Sequence, residues 1–350
     1  MTVFRMMGPV VAGLVAAAAA QAADPITLKV GGKFRNYFYA ADQDSAAGDK
    51  PSRTGMFTDA ELYFDGKTVL DNGIEVRAVI ELETEARNDR NADEIYIDLI
   101  TAFGKLRVGE KEGVNAGMIA DPYPEALLTT DEEVLGDALR RRTGLTIKDA
   151  FTFKRFSNDV LTVSYETPAL LPGVKFGMSY SPQLNDGEGS FDRRAAEHDG
   201  FDVSGRYEGK FKGGGYRLAA GYFHSQSRIG ARDGNAGIAL HSGVTYGGWD
   251  LGGAYAASNP ASGIDERSWA AGLMYSIDAY KVSLNQFHGK RDARPVTEVV
   301  DRTNLQFSYR VGPGVTVGLT GFYADQRDSR GAKFDGVGLL AGIKLSFTSR

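Results

Sequence analysis

Residues 74–83 read Ile-Glu-Val-Arg-Ala-Val-Ile-Glu-Leu-Glu, and much of the chain repeats their pattern. Apolar side chains fill its even positions, and charged side chains fill its odd positions apart from Val79. Side chains of a β-strand alternate between two faces, so this period of two predicts a strand with one apolar face. The segment from Gly336 to Phe347 repeats the pattern, and only Leu340 interrupts the glycines and polar residues of its second face.

Segments of the same kind recur along the whole chain. With the two segments above, they predict sixteen strands. The other segments begin near Leu28, Phe57, Glu94, Lys105, Asn158, Val174, Phe201, Tyr216, Ala236, Trp249, Arg267, Tyr280, Asn304 and Val315.

The connections between these segments alternate in length. Short turns fall at residues 71–73, 102–104, 168–173, 209–213, 247–248, 276–278 and 312–314. Longer polar connections fall near residues 41–56, 85–93, 111–157, 181–198, 225–235, 258–265, 289–300 and 324–335. This asymmetry predicts an all-β, antiparallel, up-and-down transmembrane β-barrel whose termini lie at the short-turn rim. A soluble β-sandwich also alternates apolar and polar positions, but it has no reason to sort its connections by length.

The N-terminus has the pattern of a secretory signal peptide. Arg5 precedes a short apolar run, and Ala20 and Ala22 occupy the small-residue positions of a cleavage site. We therefore expect residues 1–22 to be removed after Ala22 and residues 23–350 to form the barrel. The alternative, an N-terminal anchor helix, is disfavoured because the run is shorter than the roughly 20 residues that span a bilayer.

Composition excludes several classes of partner and site. The chain has no cysteine, so it can form neither disulfides nor thiolate metal sites. Cleavage after Ala22 would remove one positive charge and leave 39 basic and 45 acidic side chains, a net charge of −6. This balance argues against nucleic acid as a partner. Aromatic residues fall mostly near the ends of the predicted strands, as the two interfacial girdles of a membrane barrel would require.

These features together resemble the general diffusion porins of Gram-negative bacteria, particularly those of alphaproteobacteria. The resemblance rests on the signal peptide, the opening strand Ile26–Phe34, the sixteen alternating segments and one dominant internal loop. It implies a homotrimer of sixteen-stranded barrels in the cell outer membrane, with the third long loop folded into each lumen. It also implies contact with outer-membrane lipid and lipopolysaccharide, passage of small hydrophilic solutes and ions, and no cofactor.

The longest connection, residues 111–157, carries the predicted constriction. Its sequence predicts a short helix near residues 132–142, with acids in the first turn and three arginines in the last. We expect the loop to present acids to the pore and the strands to present bases on the opposite wall. The predicted constriction residues are Asp121, Glu125, Asp131, Glu132, Lys33, Arg35, Arg77 and Arg107. Further pore-lining candidates are Arg140, Arg141, Arg142, Glu61 and Glu81.

These charges also have interpretations that involve no role in transport. Compensation of the helix dipole explains the position of the three arginines without any role in transport. Any wide aqueous pore also needs a polar wall, whatever it conducts. Because the mature chain is net negative, our hypothesis is a weak preference for cations, although the charges at the constriction decide selectivity.

No catalytic residue or metal ligand is predicted. The four histidines are scattered and have neither zincin spacing nor a neighbouring nucleophile motif. Passive diffusion is the favoured function, and a channel of the same fold selective for phosphate, sugars or amino acids is the alternative. An outer-membrane barrel enzyme and a secreted glycan-binding β-protein are less favoured.

Overall fold

The computed structural model describes residues 25–44, 50–84, 92–119, 123–126, 138–139, 159–184, 197–226, 234–259 and 264–349. Sixteen antiparallel strands within these ranges form one closed barrel, in which each strand pairs with the next and the last pairs with the first. The predicted fold class is therefore confirmed. Among the described residues, no helix is both long and apolar enough to cross a membrane.

The strands are numbered in chain order, and the helix α1 (Val114–Met118) lies between β5 and β6. Their bounds are β1 (Thr27–Gln43), β2 (Thr54–Val69), β3 (Glu75–Glu83), β4 (Ala92–Thr101), β5 (Gly104–Glu110), β6 (Leu161–Glu166), β7 (Val174–Gln183), β8 (His198–Phe211), β9 (Gly214–Gln226), β10 (Gly234–Tyr246), β11 (Trp249–Asn259), β12 (Asp265–Ile277), β13 (Tyr280–Ala293), β14 (Val296–Gly312), β15 (Val315–Asp328) and β16 (Lys333–Thr348).

Pairing of the two terminal strands closes the barrel. The β1–β16 ladder runs without interruption from Gly31 opposite Thr348 to Gln43 opposite Gly336. The Ser349 amide also donates to the Val30 carbonyl at 2.6 Å. Closure satisfies the backbone groups that an open edge strand would expose to lipid.

Alternation along each strand separates the lumen from the exterior. In β3, Ala78 and Ile80 are exposed on the outer surface, whereas Val79 is 5% exposed and faces inward. Exposed leucines, isoleucines and aromatics continue this outer surface around the barrel. The outer surface is therefore apolar and the inner surface mostly polar, as a pore in a lipid bilayer requires.

Aromatic side chains form two belts on the outer surface. In β8, β9, β11 and β12, outward aromatics lie six residues apart, which is about 20 Å along a strand. These pairs are Phe201 and Tyr207, Tyr216 and Tyr222, Trp249 and Tyr255, and Trp269 and Tyr275. At the short-turn rim, neighbouring rings pack on one another, for example Trp249 on Tyr275 at 4.6 Å between ring centroids. The belt nearer the long loops, which contains Trp269 and Tyr255, is called the upper belt below.

Two of the predicted long loops were wrong. Residues 289–300 are mostly strand, because β13 continues to Ala293 and β14 begins at Val296, eight residues before the predicted start at Asn304. Residues 324–335 are also largely strand. The sequence suggests loops there because charged and polar residues occupy both faces over most of their length. Ion pairs between strands support them instead, including Arg291 with Glu298 at 2.9 Å.

Candidate functional site

The internal loop between β5 and β6 follows the inner wall of the barrel. Its first described part, α1, packs against β7 to β9, where the Val114 amide donates to Ser179 Oγ at 2.6 Å. Residues 123–126 reach β13 and β14, where the Ala126 amide donates to Gln306 Oε1 at 2.9 Å. Leu139 lies against Gly336 on β16. The described parts of the loop therefore cover the wall from β7 to β16.

Inward-facing glycines form a seat for the loop. A Cβ added at Gly221 would lie 2.5 Å from Asn115 Oδ1, and one at Gly336 would lie 2.5 Å from Leu139 Cδ2. Similar close approaches to loop atoms occur at Gly177, Gly252 and Gly272. Real Cβ atoms essentially never come within 3.0 Å of a neighbour, so a side chain at any of these glycines except Gly252, where the distance is 3.1 Å, would force a loop side chain to shift. At Gly272 the neighbour is Tyr123 Cβ, so the loop backbone itself would have to move.

The space between the loop and its wall is packed as a small core. Alanines of the strands and the loop residues Ile119, Tyr123 and Leu139 belong to one buried apolar cluster. Arg302 on β14 is 2% exposed, donates a hydrogen bond to the Tyr123 hydroxyl and lies over the Phe287 ring at 5.3 Å. Sequence reasoning missed this seat, because nothing in the pattern says which strands the loop will cross.

The opposite wall, β1 to β6, carries the charges that the sequence singled out. Lys33 and Arg35 share the inward face of β1 with Tyr37, which belongs to the same buried cluster as Leu139. Lys33 Nζ lies 2.7 Å from a carboxylate oxygen of Glu61, directly opposite on β2. Arg35 forms an ion pair with Asp59, the next inward residue of β2, and both side chains are nearly buried. A carboxylate on the neighbouring strand therefore neutralises each of these bases.

Arg77 and Arg107 have the same arrangement lower on the wall. Arg107 binds Asp98 through two nitrogens, at 2.6 and 2.8 Å, and its guanidinium lies 4.0 Å from the centre of the Tyr96 ring. Arg77 Nε donates to Asp65 at 2.8 Å and lies opposite Asp98 in the ladder. The Asp98 side chain is only 1% exposed, which two flanking guanidinium groups make tolerable.

Glu61 and Glu81 lie inward at the upper part of this wall. Glu61 accepts a hydrogen bond from Tyr63 in addition to its pairing with Lys33. Glu81 lies directly opposite Glu94 in the β3–β4 ladder.

Carboxylates also cluster where the loop leaves and rejoins the wall. One carboxylate oxygen from each of Glu94, Glu112 and Asp159 lies within 4.8 Å of the others. Burial and the charges of Glu112 and Asp93 raise the pKa of the Asp159 carboxyl to about 8. Burial opposes the charged form of Lys111, but the carboxylates of Glu112 and Glu94 outweigh it and keep that pKa above its ordinary value. The sequence did not point to this cluster.

The remaining predicted site residues divide between described and undescribed parts of the chain. Glu125 is half-buried in the loop segment seated on β13 and β14. The predicted helix near residues 132–142 is described only at residues 138–139, while the observed helix α1 was not predicted. Six predicted residues lie outside the described ranges, namely Asp121, Asp131, Glu132, Arg140, Arg141 and Arg142.

Comparison with known proteins finds one matching family and several solved structures of similar fold. A family model described as Gram-negative porin matches residues 10–330. Among solved structures, the anion-selective porin from Comamonas acidovorans is 14% identical, with 92% of this chain and 99% of that chain covered and a TM-score of 0.60. The trimer form of OmpT from Vibrio cholerae is 13% identical, with coverage of 93% and 100% and a TM-score of 0.62. OmpF from Salmonella typhi, in complex with daunomycin, is 13% identical, with coverage of 92% and 97% and a TM-score of 0.63. No curated protein matches the chain.

Proposed function

This chain belongs to the Gram-negative porin family, and we propose that it forms a constricted, water-filled channel for passive diffusion of small hydrophilic solutes and ions. The observation that carries the constriction is the seating of the loop on the wall from β7 to β16. The charged wall of β1 to β6 then borders the passage. The family and the fold point to a channel of the outer membrane rather than to an enzyme.

The charges of the passage support a weak preference for cations. The predicted bases Lys33, Arg35, Arg77 and Arg107 are paired with carboxylates and add little positive field. At the loop junction the carboxylates of Glu94 and Glu112 outnumber the ammonium group of Lys111, and the Asp159 carboxyl adds a further negative charge as the pH rises through about 8. Because the anion-selective porin from Comamonas acidovorans shares this fold, wall charges rather than the fold would set the sign of selectivity.

Liposome swelling tests passive diffusion against the solute-selective alternative. Vesicles that contain the purified protein are diluted into isotonic solutions of uncharged sugars of increasing size. A diffusion pore admits them at rates that fall smoothly with molecular size. Fast entry of one sugar together with exclusion of smaller sugars would contradict passive diffusion and support a selective channel.

The homotrimer is supported by an aliphatic surface on the short strands. Ile80, Ile95, Ile97, Val108 and Val163 are 42–50% exposed on the outer face of β3 to β6. Ile97 lies opposite Val108, which in turn lies opposite Val163, so these side chains form a continuous patch. OmpT of Vibrio cholerae, which shares the fold, has a trimer form.

Native mass spectrometry in detergent tests this assembly. Wild-type protein should appear as a trimer, and Ile97→Lys should shift the population towards monomer because it places a charge in the aliphatic patch. Leu284→Lys, on the outer face of β13, is the matched control and should leave the trimer intact. A monomeric wild-type protein, or equal dissociation of both variants, would contradict the proposed interface.

Export is proposed to remove residues 1–22. The N-terminal pattern around Ala20 and Ala22 is the support. The intact mass of protein purified from outer membranes should correspond to a chain that begins at Ala23. A retained N-terminus, or cleavage elsewhere, would contradict the proposed domain boundary.

A further inference from the structure

Three basic side chains face the lumen on the short-turn side of the seated loop. Lys281 on β13, Arg310 on β14 and Lys344 on β16 are here called the lower cation patch. Arg310 lies opposite Thr316 of β15, which in turn lies opposite Lys344. Lys281 lies opposite Ser308, one inward position above Arg310. Strand geometry places the Cα atoms of Lys281 and Lys344 about 8 Å and about 10 Å from that of Arg310.

Contacts with the loop place the patch inside the barrel. The Ala126 amide donates to Ser283 Oγ at 3.1 Å, and the Ser308 hydroxyl, also buried, donates to the Ala126 carbonyl at 2.9 Å. Lys281 lies two residues before the first of these serines, and Arg310 lies two residues after the second. Residues two apart in a strand share a face, so both bases point into the lumen. The patch therefore lies directly below the loop, at the end of the lumen away from the upper belt.

The patch has no carboxylate partner among the described residues. Neither Asp278, in the turn before β13, nor Glu125, in the loop segment above, forms an ion pair with any of its three bases. The inward positions of β13 to β16 below the loop otherwise hold only serine, threonine and glycine. The bases Lys33 and Arg35 of β1, by contrast, are each paired with a carboxylate of β2. The patch is therefore a sector of unbalanced positive charge on the lumen wall.

Neighbouring bases add to the positive charge of this sector. The charges of Arg35, Lys33 and Lys281 all act on the ammonium group of Lys344, and Glu61 is the one acid that acts on it comparably. Glu61 is already paired with Lys33 at 2.7 Å. A narrow passage lined by charge of one sign raises the local concentration of counter-ions. This part of the lumen is therefore suited to hold an anion.

The donors of the patch match a phosphate monoester. Such a group has a charge of about −1.5 to −2 at pH 7 and three strong acceptor oxygens. Arg310 can donate two parallel hydrogen bonds to it, and Lys281 and Lys344 carry compact ammonium groups on flexible stems. The hydroxyl of Thr316, between Arg310 and Lys344 in the ladder, adds a neutral donor. A carboxylate has one charge and two oxygens, so it would match these three cations less well.

We propose that the lower cation patch binds the phosphate group of small phosphorylated solutes between the constriction and the short-turn rim. The inference rests on the proposed function, since the solute must enter an open lumen to reach the patch. It deepens that function by naming a class of solute that the channel retains and the residues that retain it. Because the patch lies below the loop, its positive charge keeps the cation preference of the constriction modest.

Isothermal titration calorimetry of the detergent-solubilised protein tests the site at low ionic strength, where screening is weakest. Wild-type protein should bind glycerol 3-phosphate, bind glycerate more weakly and show no binding of glycerol. Arg310→Gln/Lys344→Gln should bind glycerol 3-phosphate about 100-fold more weakly, since each lost charge-assisted hydrogen bond contributes about tenfold. The matched control Lys67→Gln/Lys105→Gln removes two lumen bases that already have carboxylate partners at 2.5 Å on neighbouring strands, and it should bind as wild type does.

Three results would overturn the site. They are absence of binding by the wild type, equal binding of glycerol 3-phosphate and glycerate, and equal affinities of the two double variants. If Arg310→Gln/Lys344→Gln fails to fold, the single variant Lys281→Gln provides the same test, with an expected loss of about tenfold.

Conductance of the same proteins separates failure of the site from failure of the proposed function. A wild type that conducts but does not bind glycerol 3-phosphate contradicts the site alone. A folded wild type that never conducts contradicts the pore, whatever it binds.

Discussion

The glycine seat predicts that one added methyl group loosens the internal loop. In Gly272→Ala, the new Cβ would lie 2.7 Å from Tyr123 Cβ. Ordinary carbon contacts are about 3.5–4.0 Å, so Tyr123 or its backbone must move by about 1 Å. Because Cβ is the side-chain atom bonded to the backbone, rotation of the tyrosine ring does not relieve this contact.

The size of the effect follows from the cost of overpacking. Inserting a methyl group into a closely packed site typically costs about 1–3 kcal/mol. If the unseated loop escapes the contact, the ratio of seated to unseated loop falls roughly 5- to 150-fold. The barrel ladder itself should remain intact, since glycine and alanine both fit the backbone of a strand.

Single-channel recording measures this change. Gly272→Ala should show more frequent transitions and additional conductance levels above the main level of the wild type. Gly321→Ala is the matched control, because its added Cβ would meet only the Leu305 carbonyl oxygen at 4.0 Å. Indistinguishable conductance distributions in the two folded variants would refute the proposed role of the glycine seat.

Three further changes test the charged wall and the loop anchor. Arg107→Gln removes the bidentate partner of the nearly buried Asp98. It should destabilise the barrel by about 3–5 kcal/mol and increase the preference for cations, as measured by thermal unfolding and by reversal potentials. The double variant Arg107→Gln/Asp98→Asn should restore both properties. Because the pKa of Asp159 is about 8, its carboxyl gains negative charge as the pH rises through 8, so cation preference should increase between pH 7 and 9. The slope over the same pH range should be smaller in Asp159→Asn, and an equal slope in both proteins would contradict the assignment. Tyr123→Phe removes the hydroxyl that accepts a hydrogen bond from Arg302 and should lower the free energy of unfolding by about 1 kcal/mol; a stability equal to that of the wild type would argue against this anchor.

The alternation of apolar and polar residues was sufficient to predict the barrel, but it did not predict how far the strands extend beyond the membrane. The segment from Ile74 to Glu83 has one lipid-facing side, so its strand, β3, could be identified from the sequence. Above the membrane both faces of a strand meet water, and the alternation that marks a strand disappears. There β13 and β14 are supported by pairs such as Arg291 with Glu298, which depend on register. The charged stretch 289–300 was therefore predicted to be a loop, although most of it is paired β-strand.

The site could be predicted as far as parity allows, meaning that the odd or even position of a residue along its strand determines whether its side chain faces the lumen or the exterior. Parity predicted that Lys33 and Arg107 face the lumen, and the structure places both there. Their partners, Glu61 and Asp98, belong to neighbouring strands, and the register that brings them together comes from pairing along the whole sheet. The glycine seat left one signal in the sequence, since Gly272 occupies an inward position of its strand. Reading that signal requires the path of the loop across the barrel, which arises only in the folded chain.

Single-channel conductance of the detergent-purified protein in a planar bilayer shows whether the barrel is an open pore. A trimeric diffusion pore predicts large ohmic steps that arrive in threes, with a reversal potential in a salt gradient whose sign indicates a modest preference for cations. Absence of conductance from folded, heat-modifiable protein would contradict the open pore.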